Sequence, residues 1–156
     1  MFNSIKLTTR IAAPLERVFD LSLSIDLHLK SAQNTREKVV SGKSSGIMEL
    51  GDEVTWEAYH FCMKQRLSVK ISKYNRPFFF RDQQVKGPFK TFYHDHYFEK
   101  VKGICHVKDV LYFQCPLGAL GAIANPMIYI HLKRFLQRRN SIIKSVAESD
   151  QWENYC

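Results

Sequence analysis

Five consecutive runs of alternating apolar and polar residues, joined by very short connections and followed by one long helical pattern, leave this chain few folds. The runs cover roughly 53–61, 64–74, 78–86, 90–100 and 104–115. Alternation with a period of two marks strands that bury one face. Connections of two or a few residues cannot carry a crossover, so neighbouring strands pair as antiparallel hairpins. From Leu117 to about Ala147 the period changes. Leu120, Ile123, Met127, Ile130 or His131, Leu132, Phe135, Leu136, Ile142, Ile143 and Val146 recur at helical spacing. Pro126 cannot donate a backbone hydrogen bond, so it is expected to kink this helix or to mark its true start.

Upstream, residues 2–11 read as a strand, with Phe2, Ile5, Leu7 and Ile11 among polar neighbours. Ala13-Pro14-Leu15-Glu16 reads as a helix start with Pro14 at the first helical position, and Val18, Phe19, Leu21 and Leu23 supply its apolar side. A second short helix is expected from Ile25 to Ala32, starting near Ser24, then a short strand at 36–41 and a Gly/Ser loop at 41–46. Strand, two short helices, a run of antiparallel strands and one long helix define an α+β fold. At 156 residues the chain is expected to form one domain over 1–149, with 150–156 as a C-terminal tail.

Strand register then predicts which side chains share the buried face. A two-residue turn at Cys62-Met63 puts Trp56, Ala58 and His60 on the same face as Leu67, Val69 and Ile71. Carrying the parity through a turn at Asn75-Arg76 turns Phe80, Asp82 and Gln84 inward. A three-residue loop at Gly87-Pro88-Phe89 adds Phe92, His94, His96 and Phe98, with Asp82 opposite His94. A two-residue turn at Lys102-Gly103 adds Val107, Asp109, Leu111 and Phe113, with Asp109 opposite His96. A buried carboxylate needs a partner, because stranding its charge in a low dielectric is expensive. Cross-strand Asp–His pairing supplies one.

The four cysteines, Cys62, Cys105, Cys115 and Cys156, form no C-x-x-C pair and match no zinc spacing, which fits a reducing compartment. The N-terminus has no apolar signal core, and no apolar run approaches a membrane span, so the expected location is the cytoplasm. A net charge of +8 raises the question of an anionic partner. No Asp or Glu occurs between Asp109 and Glu148, whereas Lys133, Arg134, Arg138, Arg139 and Lys144 do. These cations suit a helix C-terminus, and transient docking on an anionic membrane is the sharper reading. Nucleic-acid binding is not expected, since the aromatic rings fall on inner positions rather than among the basic residues.

The start IAAPLERVFDL, the strand GDEVTWEAYHF, the segment FRDQQVKGPFKTFYHDHYF and the CPLGALG leading into the last helix together resemble the START-like helix-grip (SRPBCC) superfamily, in particular its polyketide cyclase/dehydrase and lipid-transport group. The resemblance spans about residues 3–148. It implies a curved antiparallel sheet of about seven strands wrapped around a long C-terminal helix, with two short helices after the first strand and a cavity between sheet and helix. Activities on this fold diverge, so the fold transfers none of them.

Two readings of function follow. In the first, Trp56, Phe80, Phe92, Phe98 and Phe113 give apolar contact to a small hydrophobic ligand, whether lipid, aromatic or polyketide-like. His60, Asp82, Gln84, His94, His96 and Asp109 then supply the polar groups that orient it. In the second, His94 or His96 acts as general acid or base in a cyclase- or dehydratase-like reaction. His94-x-His96 beside Asp82 and Asp109 also has the composition of a zinc or iron site. Histidines satisfied by aspartates are the preferred reading there, and neither metal nor cofactor is expected.

Overall fold

The computed structural model describes residues 2–156. Its elements run β1 (Phe2–Ile11), α1 (Leu15–Ser22), α2 (Ile25–Ser31), β2 (Lys38–Gly42), β3 (Glu53–His60), β4 (Met63–Asn75), β5 (Phe79–Lys86), β6 (Thr91–Val101), β7 (Ile104–Gln114) and α3 (Gly118–Ala147). The seven strands form one sheet in the order β1-β7-β6-β5-β4-β3-β2. Every neighbouring pair is antiparallel. β1 and β2 are its two edges, and α1 and α2 carry the chain from one edge to the other. This is the α+β fold that the order of elements predicts, in the helix-grip arrangement that the resemblance implies.

Local chemistry accounts for the element ends. Pro14 is the N-cap of α1 rather than its first helical residue, so the helix starts one residue later than the sequence predicts, because the Pro14 backbone is extended rather than helical. Ser24 caps α2 by accepting the Leu27 amide on its hydroxyl oxygen. α3 begins at Gly118, well upstream of Pro126, so the proline lies within the helix and does not mark its start. Among the described residues, no helix is long and apolar enough to cross a membrane.

Register shows how the inner face is built. The β3–β4 turn is Phe61-Cys62, both residues left-handed at φ 52° and 62°, and not Cys62-Met63. The observed pairs are therefore His60 with Met63, Ala58 with Gln65 and Trp56 with Leu67. Moving a hairpin turn by one residue moves its pairing by two, which preserves the face of every side chain. The next connection spans Arg76-Pro77-Phe78, with bulges beside it, and pairs Ile71 with Asp82 rather than with Phe80. Parity again survives where it matters. Asp82 opposite His94, Asp109 opposite His96 and the turn at Lys102-Gly103 match the expected register. The bulges in β2 and between β4 and β5 bend the sheet, which lets it wrap around α3.

Two clusters hold the layers together. Under α1, Phe19 meets Tyr74, Phe80 and Phe98 edge-on, with ring centroids 5.1–5.5 Å apart. Toward the other end, Ile5, Leu111, Phe113 and Leu136 form a smaller core. The C-terminal half of α3 is clamped down. Lys144 donates to the Arg10 carbonyl, Arg17 to the Ala147 carbonyl, and the Ala12 amide to Glu148. Past α3, Trp152 lies under the Arg17 guanidinium at 4.2 Å, and with Tyr155 it packs on the main core.

Candidate functional site

Between the inner face and α3 the side chains leave a cavity of about 460 Å³, within the range of small-molecule pockets. Its wall is mainly apolar, so the aromatic residues do not close into a solid core. Of the residues predicted to face it, Trp56, His60, Phe80, Asp82, Phe92, His94 and His96 line it.

Four others do not reach the wall. Gln84 faces the right side but spends its amide on the β5–β6 loop, donating to the Phe89 carbonyl and accepting from the Phe89 amide. Phe98 lies deeper, packed on Phe19 and Phe80. Phe113 is covered by Phe89, whose ring meets it at 5.9 Å. Asp109 is wholly buried behind the two histidines. The inner face of the sheet is broader than the cavity it encloses, and parity alone cannot separate wall from core.

The polar end of the cavity is one connected network. His94 Nε2 lies 2.9 Å from Asp109 Oδ1, and His96 Nε2 lies 2.7 Å from Asp82 Oδ2. These bonds run diagonally to the strand register, so each histidine bonds the aspartate opposite its neighbour. His96 Nδ1 is also 3.0 Å from Asp109 Oδ1, an ion-pair contact that lacks good hydrogen-bond geometry. Asn140 of α3 donates to Asp109 Oδ2 at 2.6 Å and to Thr9. Arg139, buried and in the cavity wall, donates to Asn140 and to the Ser22 carbonyl.

Charge distributes unevenly over this cluster. Burial opposes ionisation of Asp109, yet the His94 hydrogen bond and the close contact with His96 outweigh it and hold the carboxyl well below its usual range. Asp82 is lowered by the same balance, with His96 as its main partner. Burial pushes His94 down, and the adjacent His96 ring, 3.7 Å away between centroids, adds to the effect. For His96 burial is overcome by the two flanking carboxylates, and its affinity for a proton rises. These opposite directions favour placing a proton on His96, between the two carboxylates, over placing one on His94 beside it. With Asp109 ionised, His94 donates through Nε2, which leaves Nδ1 as a lone-pair nitrogen on a ring in the cavity wall.

Asp82, His94 and His96 also offer three ligand atoms within 4.8 Å of one another, the composition of a two-histidine, one-carboxylate metal site. Two of those residues, His96 and Asp82, already bond each other, and His94 bonds Asp109. A metal would have to replace those contacts.

Several residues of the wall and of the network behind it are not among the site residues that the sequence predicts. Arg139 falls among the helix cations by its residue type, but it is buried. Arg139 and Asn140 fill the gap between Leu136 and Ile143 in the helical pattern, so their inward position follows from the same period. His28 of α2 stacks on Trp56 at 4.2 Å and bonds Glu37. At the mouth, His60 Nδ1 meets His131 Nε2 at 2.8 Å, joining the end of β3 to α3.

No protein-family model matches the sequence, and no curated protein matches it significantly. Solved structures do match in shape. Zhui aromatase/cyclase from a Streptomyces species superposes with a TM-score of 0.77 at 10% identity, covering 95% of this chain and 94% of its own. The protein TTHA0849 from Thermus thermophilus gives 0.73 at 14% identity, over 93% and 99%. Major latex-like protein 151 from Panax ginseng gives 0.69 at 12% identity, over 94% and 97%. At such identities the likeness is one of fold, and the fold is the helix-grip fold that the sequence resembles.

Proposed function

We propose that this protein binds a small, largely hydrophobic molecule in the cavity between sheet and α3, with the His94–His96–Asp82 end orienting a polar group of that molecule. The observation that carries this reading is the apolar space of about 460 Å³ itself, closed at one end by a few convergent polar side chains. A core built only for stability would close such a space, because empty volume costs dispersion contacts and cavity free energy. The cavity-lining Trp56 supplies a probe. Titration with a fluorescent apolar anion such as anilinonaphthalene sulfonate should saturate at one site per chain with energy transfer from Trp56. Ala58→Trp, which fills the cavity from β3, should abolish that site. Binding that persists unchanged in Ala58→Trp would place the probe elsewhere and remove the support for an internal ligand.

A second reading has its own observation. Burial and the adjacent His96 disfavour a proton on His94, Asp109 orients its ring through Nε2, and the residue lines the cavity, which is the arrangement of a general base. The likeness in fold to an aromatase/cyclase raises the interest of cyclisation or dehydration of a bound carbonyl compound. Substituting His94 and His96 together by Gln separates the readings. A binder loses part of its affinity, whereas an enzyme loses turnover with affinity largely kept.

A further inference from the structure

We propose that the outward face of the N-terminal half of α3, with the adjoining β3–β4 turn, docks on an anionic lipid bilayer and turns the cavity mouth toward it. Leu120, Ile123, Met127 and Ile130 follow one another at three- and four-residue spacing, and they are 69%, 78%, 56% and 51% exposed. The helical pattern of the sequence includes them as if they were core positions. In the structure the inward face of this segment is formed instead by Ile128 and Leu132, packed against the sheet. Apart from the share that Met127 takes in the cavity wall, the outward row is left to solvent. Single exposed apolar side chains are ordinary on a protein surface, but a continuous row beside a pocket mouth marks an interaction site. Met127 belongs to both surfaces, since it is exposed and also lines the cavity. Across the mouth, Phe61 on the β3–β4 turn and Met63 at the start of β4 are exposed, with the Phe61 ring 4.6 Å from His131 of α3.

Charge selects the occupant. α3 contains no Asp or Glu. Its exposed row continues into Arg134 and Arg138, which make no ion pair among the described residues. With a rise of about 1.5 Å per residue these two lie about 6 and 12 Å beyond Ile130 along the axis. With that face against the acyl boundary, the long guanidinium side chains at its end reach the headgroups. Lys90, exposed after the cavity-lining Pro88 and Phe89, shares a shallow recess with Leu117 at the start of the helix and adds a cation there. A second copy of this chain would bring the same net charge of +8 and no acidic partner on its own α3. An anionic bilayer supplies both the apolar medium and the opposite charge. This inference goes beyond the cavity reading, because it rests on the exposed face and not on what the cavity holds.

The test is co-sedimentation of the full chain with vesicles of phosphatidylcholine alone and of phosphatidylcholine mixed with phosphatidylglycerol. Binding to the mixed vesicles, weakened by salt and much lower on the neutral ones, is expected. Arg134→Gln with Arg138→Gln should lower the partition coefficient about fivefold per charge, about thirtyfold together. Leu120→Ser with Ile123→Ser should remove sedimentation while leaving the melting temperature and the anilinonaphthalene sulfonate site intact. Equal, negligible binding to both vesicles overturns the proposal. So does sedimentation insensitive to both double substitutions, or loss of the internal probe site together with sedimentation. A lipid-free dimer that Leu120→Ser/Ile123→Ser dissociates, with no vesicle binding, would overturn it too and assign the face to a second copy.

Discussion

Asn140 of α3 donates to Asp109 of β7 over 2.6 Å in a fully buried setting, and this bond ties the gripping helix to the strand behind both cavity histidines. The same amide reaches Thr9 of β1, so one side chain links helix, edge strand and the histidine–aspartate cluster. Its removal leaves a buried carboxylate with one oxygen unsatisfied. Asn140→Ala should therefore cost about 1.5–3 kcal/mol of stability, the range for a hydrogen bond to a charged group. Urea denaturation measures this directly, and a midpoint within error of wild type would show that Asp109 does not depend on the helix.

Stability should peak near the ordinary histidine value of 6.5. Below it, the unfolded chain takes up protons that His60, His94 and His131, all lowered by burial, do not accept in the fold. Stability then falls as pH falls. Below about 4 the lowered carboxyls of Asp82 and Asp109 add to that loss. Above 6.5 the sign reverses, because folded His96 keeps a proton that the unfolded chain releases. The His96 contribution is complete below 6.5 and disappears as pH rises through its raised folded value. Chemical denaturation across about pH 4–9 should give a maximum with two falling limbs. His96→Gln should flatten the alkaline one, and a monotonic profile would contradict the charge assignment.

The β3–β4 turn offers a gain rather than a loss. Cys62 is left-handed at φ 62° and exposed, a conformation that costs a non-glycine residue about 1 kcal/mol or more. Cys62→Gly should stabilise the protein by about 1 kcal/mol while leaving the cavity unchanged. Thermal melting checks it, and a lower melting temperature would show that the thiol makes contacts worth more than the relieved strain.

That turn also shows why the sequence is legible in some respects and not in others. Phe61-Cys62 carries no Gly, Asn or Asp to mark a left-handed pair, so the pattern puts the turn one residue too late. The shift moves pairing by two and leaves Trp56, Ala58 and His60 on the inner face, which is why the site survives it. Lys102-Gly103 carries the expected glycine, and the register there agrees with expectation. What parity cannot supply is depth. Phe98, Phe113 and Asp109 share a face with the wall residues, but lie where Phe19, Phe89 and the histidines cover them. Arg139 and Asn140 escape the pattern because polar residues inside an apolar helical period look like solvent positions until a buried carboxylate is found opposite them.

The histidine–aspartate cluster should hold protons rather than metal. Each of His94 and His96 is already bonded to a carboxylate, and zinc would have to displace a bound proton as well as those contacts. Elemental analysis of protein purified without chelator should find well under one zinc or iron per chain. Addition of zinc should leave the melting temperature essentially unmoved. A stoichiometric metal, or a large zinc-dependent rise, would make Asp82, His94 and His96 ligands instead.

If the space beside Trp56 and Phe80 exists to be filled, the protein should carry its occupant out of the cell. Native mass spectrometry of the freshly purified chain, with solvent extraction of the same sample, tests this most directly. The expected spectrum contains a population heavier than the bare chain by the mass of one small hydrophobic compound. That population should be recovered by extraction and missing from Ala58→Trp. A spectrum of bare chain alone from several expression hosts, and an extract equal to that of Ala58→Trp, would contradict it.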